Sequence, residues 1–182
     1  MRRIRLAVLL LCLSLTFPAF AQSPAIGDPA PTVLGKGRDG KIVDLAEHRG
    51  KVVIVTFWAS WCGYCLKELP VLDALQKKVD PQWLQVIAVN VEDPPATYRQ
   101  MMRQMRDYSL LQSRDPNGDI ARTYSVKAYP NLWVIDTQGR IASHHVGYGE
   151  DSLESIVGEI KRVLTEEMHR QEAAAAAAKS AS

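Results

Sequence analysis

Val52-Val53-Ile54-Val55-Thr56-Phe57-Trp58-Ala59-Ser60-Trp61-Cys62-Gly63-Tyr64-Cys65-Leu66-Lys67-Glu68-Leu69 is the stretch on which the fold turns. Its first seven residues are a near-continuous β-branched and aromatic run, the composition of a strand buried on both faces, and they are read here as the central strand of a sheet. Beyond them Leu69, Leu72, Leu75 and Val79 recur at three- and four-residue spacings and describe one apolar helical face. Cys62 and Cys65 therefore stand at a strand-to-helix junction. Pro70 falls inside the helix and is expected to kink it, because it lacks a backbone donor and crowds the preceding turn.

Working outward, Lys41 to Leu45 reads as a short strand after the Asp39-Gly40 turn, and Leu84 to Asn90 as a second buried strand. Pro95 to Tyr108 is helical, with Tyr98, Met101, Met102 and Met105 forming a core-facing stripe. A turn at Asp115-Pro116-Asn117-Gly118 precedes a short helix from Ile120 to Tyr124. Leu132 to Asp136 and Arg140 to Val146, joined at Gln138-Gly139, predict a hairpin. A final helix carries Leu153, Ile156, Val157, Ile160, Val163 and Leu164 on its buried face. This succession predicts an α/β fold, a mixed central sheet flanked by helices on both faces.

The N-terminus has another logic. Arg2, Arg3 and Arg5 precede an apolar run from Leu6 to Leu15, and Ala19-Phe20-Ala21 supplies the small residues of a cleavage site, so residues 1–21 read as a signal peptide. The run is well short of the roughly 20 residues that span a bilayer. Cys12 follows a bulky leucine rather than the small residue of a lipoprotein signal. Residues 22–32, rich in Pro, Ala and Gly, read as an irregular arm, 33–170 as the folded domain, and 171–182, dominated by a run of six alanines, as a low-complexity tail. Losing the leader removes three of the 22 basic residues and none of the 20 acids, leaving 19 against 20. A nearly neutral chain gives no electrostatic reason to expect nucleic acid or an anionic membrane surface as partner.

The mature chain keeps only Cys62 and Cys65, in a compartment that permits disulfides. A crosslink this short constrains the unfolded chain by only about 2 kcal/mol. A structural zinc site normally needs four ligands, and no second CxxC or CxxH accompanies the pair. The pair therefore reads as reactive. Thiol-disulfide exchange needs a nucleophilic thiolate and a second thiol close enough to resolve the mixed disulfide, and two intervening residues give that reach. Cys62, at the helix N-terminus, is the expected nucleophile, because unpaired N–H groups and the helix dipole favour its thiolate. Cys65, one turn further in, is the expected resolving thiol. Glu68, three residues on, has the spacing of a proton acceptor for Cys65, or of an ordinary solvated glutamate. His144 and His145 are adjacent on a strand, point to opposite faces, and are expected to share no metal ion.

Phe57 to Cys65 resembles the active-site segment of thioredoxin-like proteins, and more narrowly of the TlpA/ResA/DsbE group of extracytoplasmic oxidoreductases. Gly27-Asp28-Pro29-Ala30-Pro31, Gly50-Lys51-Val52-Val53, Glu68-Leu69-Pro70, Tyr129-Pro130 and Asp136-Thr137-Gln138-Gly139-Arg140 match that group in order, over roughly residues 26–165. The resemblance implies a thioredoxin-like fold, a redox disulfide between Cys62 and Cys65, a proton acceptor at Glu68 and a cis-proline at Pro130 beside the motif. It implies substrate contacts at Trp61, Tyr64 and Tyr129, the backbone of Tyr129 being open for strand addition. Three positions depart from the wider pattern. Thr56 stands where cytoplasmic thioredoxins carry a buried acid, Tyr64 replaces a common proline, and Tyr129 is bulky for the residue before the cis-proline.

The resemblance further implies a periplasmic enzyme that needs no cofactor, takes protein thiols and disulfides as substrates, and draws electrons from a membrane-bound thiol donor. The expected direction is reduction, for example of cytochrome c-type apoproteins. Three rivals follow from the same residues: a disulfide-forming oxidase, a non-catalytic peptide-binding module, and a chaperone gripping a soft ion such as Cu(I) between two thiolates.

Overall fold

The computed structural model describes residues 23–147 and 150–180, except for the side chains of 150–153. The proposed leader lies outside them. Seven strands and four helices follow in the order β1 (Val33–Gly37), β2 (Ile42–Asp44), β3 (Val52–Trp58), α1 (Gly63–Lys78), β4 (Leu84–Val91), α2 (Pro95–Gln104), β5 (Leu111–Asp115), α3 (Asp119–Thr123), β6 (Asn131–Ile135), β7 (Ile141–Val146) and α4 (Glu150–Ser180). They form one sheet of order β2-β1-β5-β4-β3-β6-β7. β3, β4 and β5 run parallel, while β6, β7, β1 and β2 are joined antiparallel, so the sheet is mixed, as expected.

Every residue of β3 is buried, in keeping with its composition. The middle place, however, belongs to β4, and β3 lies next to it. Sequence reasoning misplaced the centre because it missed β1 and β5, which add two strands on the far side of β4. β1 reads Val-Leu-Gly-Lys-Gly and β5 Leu-Gln-Ser-Arg-Asp, and neither has the apolar composition of a strand. Gly35 explains β1: a Cβ there would come within 2.2 Å of the Arg114 carbonyl oxygen, so only a bare backbone lies this close to β5.

Val52, Ile54, Trp58, Val86, Ala88, Leu132 and Val134 pack on one face against α1, α2 and α4, which contribute Leu69, Leu72, Tyr98, Met102, Ile156 and Ile160. On the other face Val53, Val55, Phe57, Val89 and Trp133 meet α3, Tyr124 and the N-terminal segment through Ala30 and Leu34. Helices cover both faces, unequally. The methionine stripe packs inward, although α2 ends at Gln104 rather than at Tyr108. Helix α1 runs from Gly63 to Lys78 through Pro70 without ending there. Gln76 ties it to β4, its side chain donating to Leu84 O (3.1 Å) and accepting from Val86 N (2.6 Å). Helix α4 continues through the alanine-rich segment, whose residues 172–180 are all exposed.

Candidate active site

Strand β3 ends at Trp58, and the Ala59-Ser60-Trp61 loop carries the chain to Cys62, the N-cap of α1. The loop is clamped from beneath. Asp93 accepts from Ser60 N (2.8 Å) and Ser60 Oγ (2.7 Å) and from Asn90 Nδ2 (2.6 Å), while its own carbonyl accepts from Arg114 Nη2 (3.0 Å). Glu92, in the left-handed region at φ 56°, turns the chain off β4 and delivers Asp93 below the loop. Sequence reasoning passed over Asp93. Its one signal was its place: an acid just past the carboxyl end of a buried parallel strand, where open α/β sheets place their sites.

Cys62 and Cys65 are joined in a disulfide with Cα atoms 5.2 Å apart, and Cys62 Sγ also accepts from the Cys65 backbone N–H at 3.1 Å. The pair is asymmetric, as its chemistry demands. Cys62 retains 7% exposure and Cys65 none. Once the pair is reduced, the same N–H and the start of a sixteen-residue helix face the Cys62 sulfur, which favours its thiolate.

Glu68 is not on the surface: it lies one turn beyond Cys65 at 1% exposure, with Oε2 accepting from Thr56 Oγ1 (2.8 Å) and Oε1 without a partner among the described residues. Burial lifts its carboxyl to about 7, and the Thr56 hydrogen bond holds it from rising further. A carboxyl with that value, one helical turn from Cys65, can take up and return a proton at neutral pH. Thr56 thus faces Glu68 from the strand, a pairing that spacing along the chain does not reveal.

The Tyr129–Pro130 peptide bond is cis. Tyr129 makes an edge-on contact with Trp61, ring centroids 5.6 Å apart, which brings the β6 entry beside the cysteine loop. Neither its N–H nor its carbonyl has a backbone partner among the described residues. Trp61 is 72% exposed, Tyr64 is exposed beneath the Lys67 ammonium, and Leu66 stands beside them. The cysteines are therefore rimmed by exposed apolar side chains, a surface on which a polypeptide segment can lie. His144 stacks on Trp133, and His145 contacts Ser143 Oγ at 3.4 Å. Their cross-strand neighbours Trp133 and Leu132 belong to opposite core layers, as alternation requires.

Comparison with known proteins agrees with this geometry. The profile of the AhpC/TSA family matches residues 26–144. The thiol:disulfide interchange protein DsbE homologue of Paracoccus denitrificans is 31% identical over 154 residues, covering 82% of this chain and 83% of that one. The thiol-disulfide oxidoreductase ResA of Bacillus thuringiensis is 28% identical over 138 residues, covering 76% and 78%. The crystal structure of a candidate DsbE from Chlorobium tepidum superposes with a TM-score of 0.73 at 32% identity, covering 78% of this chain and 99% of that one. With its Cys62–Cys65 pair at the mouth of a thioredoxin-like sheet, the chain belongs to the AhpC/TSA family and is a thiol-disulfide oxidoreductase of the TlpA/ResA/DsbE type.

Proposed function

We propose that this enzyme reduces disulfides in exported proteins, cytochrome c-type apoproteins among them, in the periplasm, after removal of residues 1–21. Cys62 attacks the substrate disulfide, forming a mixed disulfide and expelling one substrate thiolate. Glu68 then accepts the proton of Cys65, whose thiolate attacks Cys62 Sγ, releases the second substrate thiolate and closes the intramolecular disulfide. A membrane-bound thiol donor restores the dithiol. Pro130, Tyr129, Trp61 and Tyr64 position the substrate, an extended segment pairing with the free backbone of Tyr129.

One observation carries this reading: a buried carboxyl at about 7 lies behind the shielded member of an asymmetric disulfide. It also bears on direction. Strong oxidants owe their potential to a reduced form held down by a well-stabilised thiolate. Here the Lys67 ammonium next to the first turn of α1 sits over the exposed Tyr64 ring, and Glu68 adds negative charge when it ionises. That negative charge disfavours the thiolate and makes the pair more reducing.

Redox equilibration with glutathione tests the direction: a potential near about −270 mV supports a reductant, one near about −120 mV an oxidant. Cys65→Ser should trap partner proteins as mixed disulfides, and Cys62→Ser should lose insulin reduction; turnover surviving the latter would refute the mechanism. Fractionation of cells making the full chain tests the location. No helix among the described residues is long and apolar enough to cross a membrane.

A further inference from the structure

Away from the cysteines, a depression of about 320 Å³ is lined by Arg38 from the β1–β2 turn, by Arg99 and Arg103 one turn apart on α2, and by Tyr98 and Met102. No acid lines it. The three guanidinium groups make no hydrogen bond or ion pair among the described residues. Asp39, the carboxylate next along the chain, turns instead to Lys41, accepting from its backbone N–H at 3.0 Å and lying 3.9 Å from its ammonium. All three side chains are exposed, and three like charges lining one hollow raise the local positive potential that draws an anion.

The floor points the same way. Tyr98 is only 7% exposed, yet its hydroxyl has no partner among the described residues. A buried hydroxyl without a partner is costly unless something meets it. Its ring is fixed by the Arg114 guanidinium, 4.6 Å from the centroid, and burial holds the phenol above its ordinary value, so it remains an O–H donor at neutral pH. Arg38, Arg99 and Arg103 thus bring planar, multidentate N–H donors to the hollow, with no acidic side chain among its lining residues and the buried Tyr98 hydroxyl beneath, around a volume fit for a compact group bearing several oxygens. Guanidinium groups match phosphate oxygens bidentately, and three of them exceed what a single carboxylate can engage.

We propose that Arg38, Arg99, Arg103 and the Tyr98 hydroxyl form a binding site for a phosphate-type oxyanion, either free phosphate or the phosphodiester of a lipid headgroup. The site is separate from the cysteine pair and is independent of the redox direction.

Calorimetric titration of the oxidised protein with inorganic phosphate, against sodium chloride at matched ionic strength, tests it. The expected result is saturable one-to-one binding, weakened about tenfold or more in Arg38→Ala/Arg103→Ala and several-fold in Tyr98→Phe. Both variants should keep their circular dichroism and insulin reduction, which shows that they fold. Sedimentation with vesicles of phosphatidylglycerol and phosphatidylcholine in equal parts separates the sources. Pelleting that free phosphate competes away assigns the headgroup; phosphate binding without pelleting assigns the free ion. Absence of saturable phosphate binding, or equal binding by the double arginine variant, overturns the proposal. So does binding of an acidic peptide or of the vesicles without any saturable response to phosphate.

Discussion

Glu68 combines two consequences of one burial. Its folded carboxyl titrates at about 7 against an ordinary 4.5, so between those values the folded chain holds a proton that the unfolded chain has released. By linkage, stability falls as pH rises through that window and levels off above about 7, a loss on the order of 3 kcal/mol. Denaturant titrations of oxidised Glu68→Gln should show that slope removed: little change near pH 4, and a gain on the order of 3 kcal/mol near pH 8. The same variant should resolve mixed disulfides slowly, since the proposed proton acceptor is gone. Thr56→Val removes the hydrogen bond that restrains the carboxyl, so Glu68 should titrate higher still. The pH profile of mixed-disulfide resolution should move alkaline by about one unit. An unmoved profile would show that Thr56 only fills space.

The loop after β3 and the strand pair β1–β5 are held by contacts that no single segment contains. Asp93→Ala leaves Ser60 N–H and Oγ and the Asn90 amide without their acceptor. A loss of about 2 to 4 kcal/mol is expected, with faster amide exchange at Ser60 and a slower attack by Cys62. Wild-type exchange at Ser60 in that variant would remove Asp93 from the site. Gly35→Ala meets both a φ of +93° and the Arg114 carbonyl 2.2 Å from the new Cβ. The β1–β5 pairing should weaken by about 3 kcal/mol or more, read as a lowered melting temperature with lost amide protection at Lys36. Gly63→Ala is the control, since its Cβ would meet nothing within 4 Å.

Together the described residues form one sheet with its helices, and the end of α4 is exposed. Gln171 Nε2 donates to Gly50 O at 2.8 Å and ties α4 to the sheet side. Just before it, the buried Glu167 carboxylate accepts from Thr137 Oγ1 and pairs with Arg170. Residues 172–180 are all exposed, so removing residues from 172 onward should change unfolding free energy by less than about 0.5 kcal/mol and leave insulin reduction intact. A larger loss would mean that the segment packs on something in solution.

What was legible in the sequence is what repeats or is chemically singular. The run from Val52 to Trp58 declared a buried strand, the leucine spacing after Cys65 declared α1, and the lone cysteine pair declared its chemistry, because composition and periodicity are local properties. β1 and β5 were not legible, since polar and glycine-bearing segments become strands only when neighbours supply the hydrogen bonds. The same holds for the Thr56–Glu68 bond, the Asp93 clamp and the arginine hollow, which join residues 12, 33 and about 60 positions apart. Whether a carboxylate is a solvated surface group or a near-neutral buried acid depends on the desolvation its neighbours impose, and only the folded chain puts those neighbours in place.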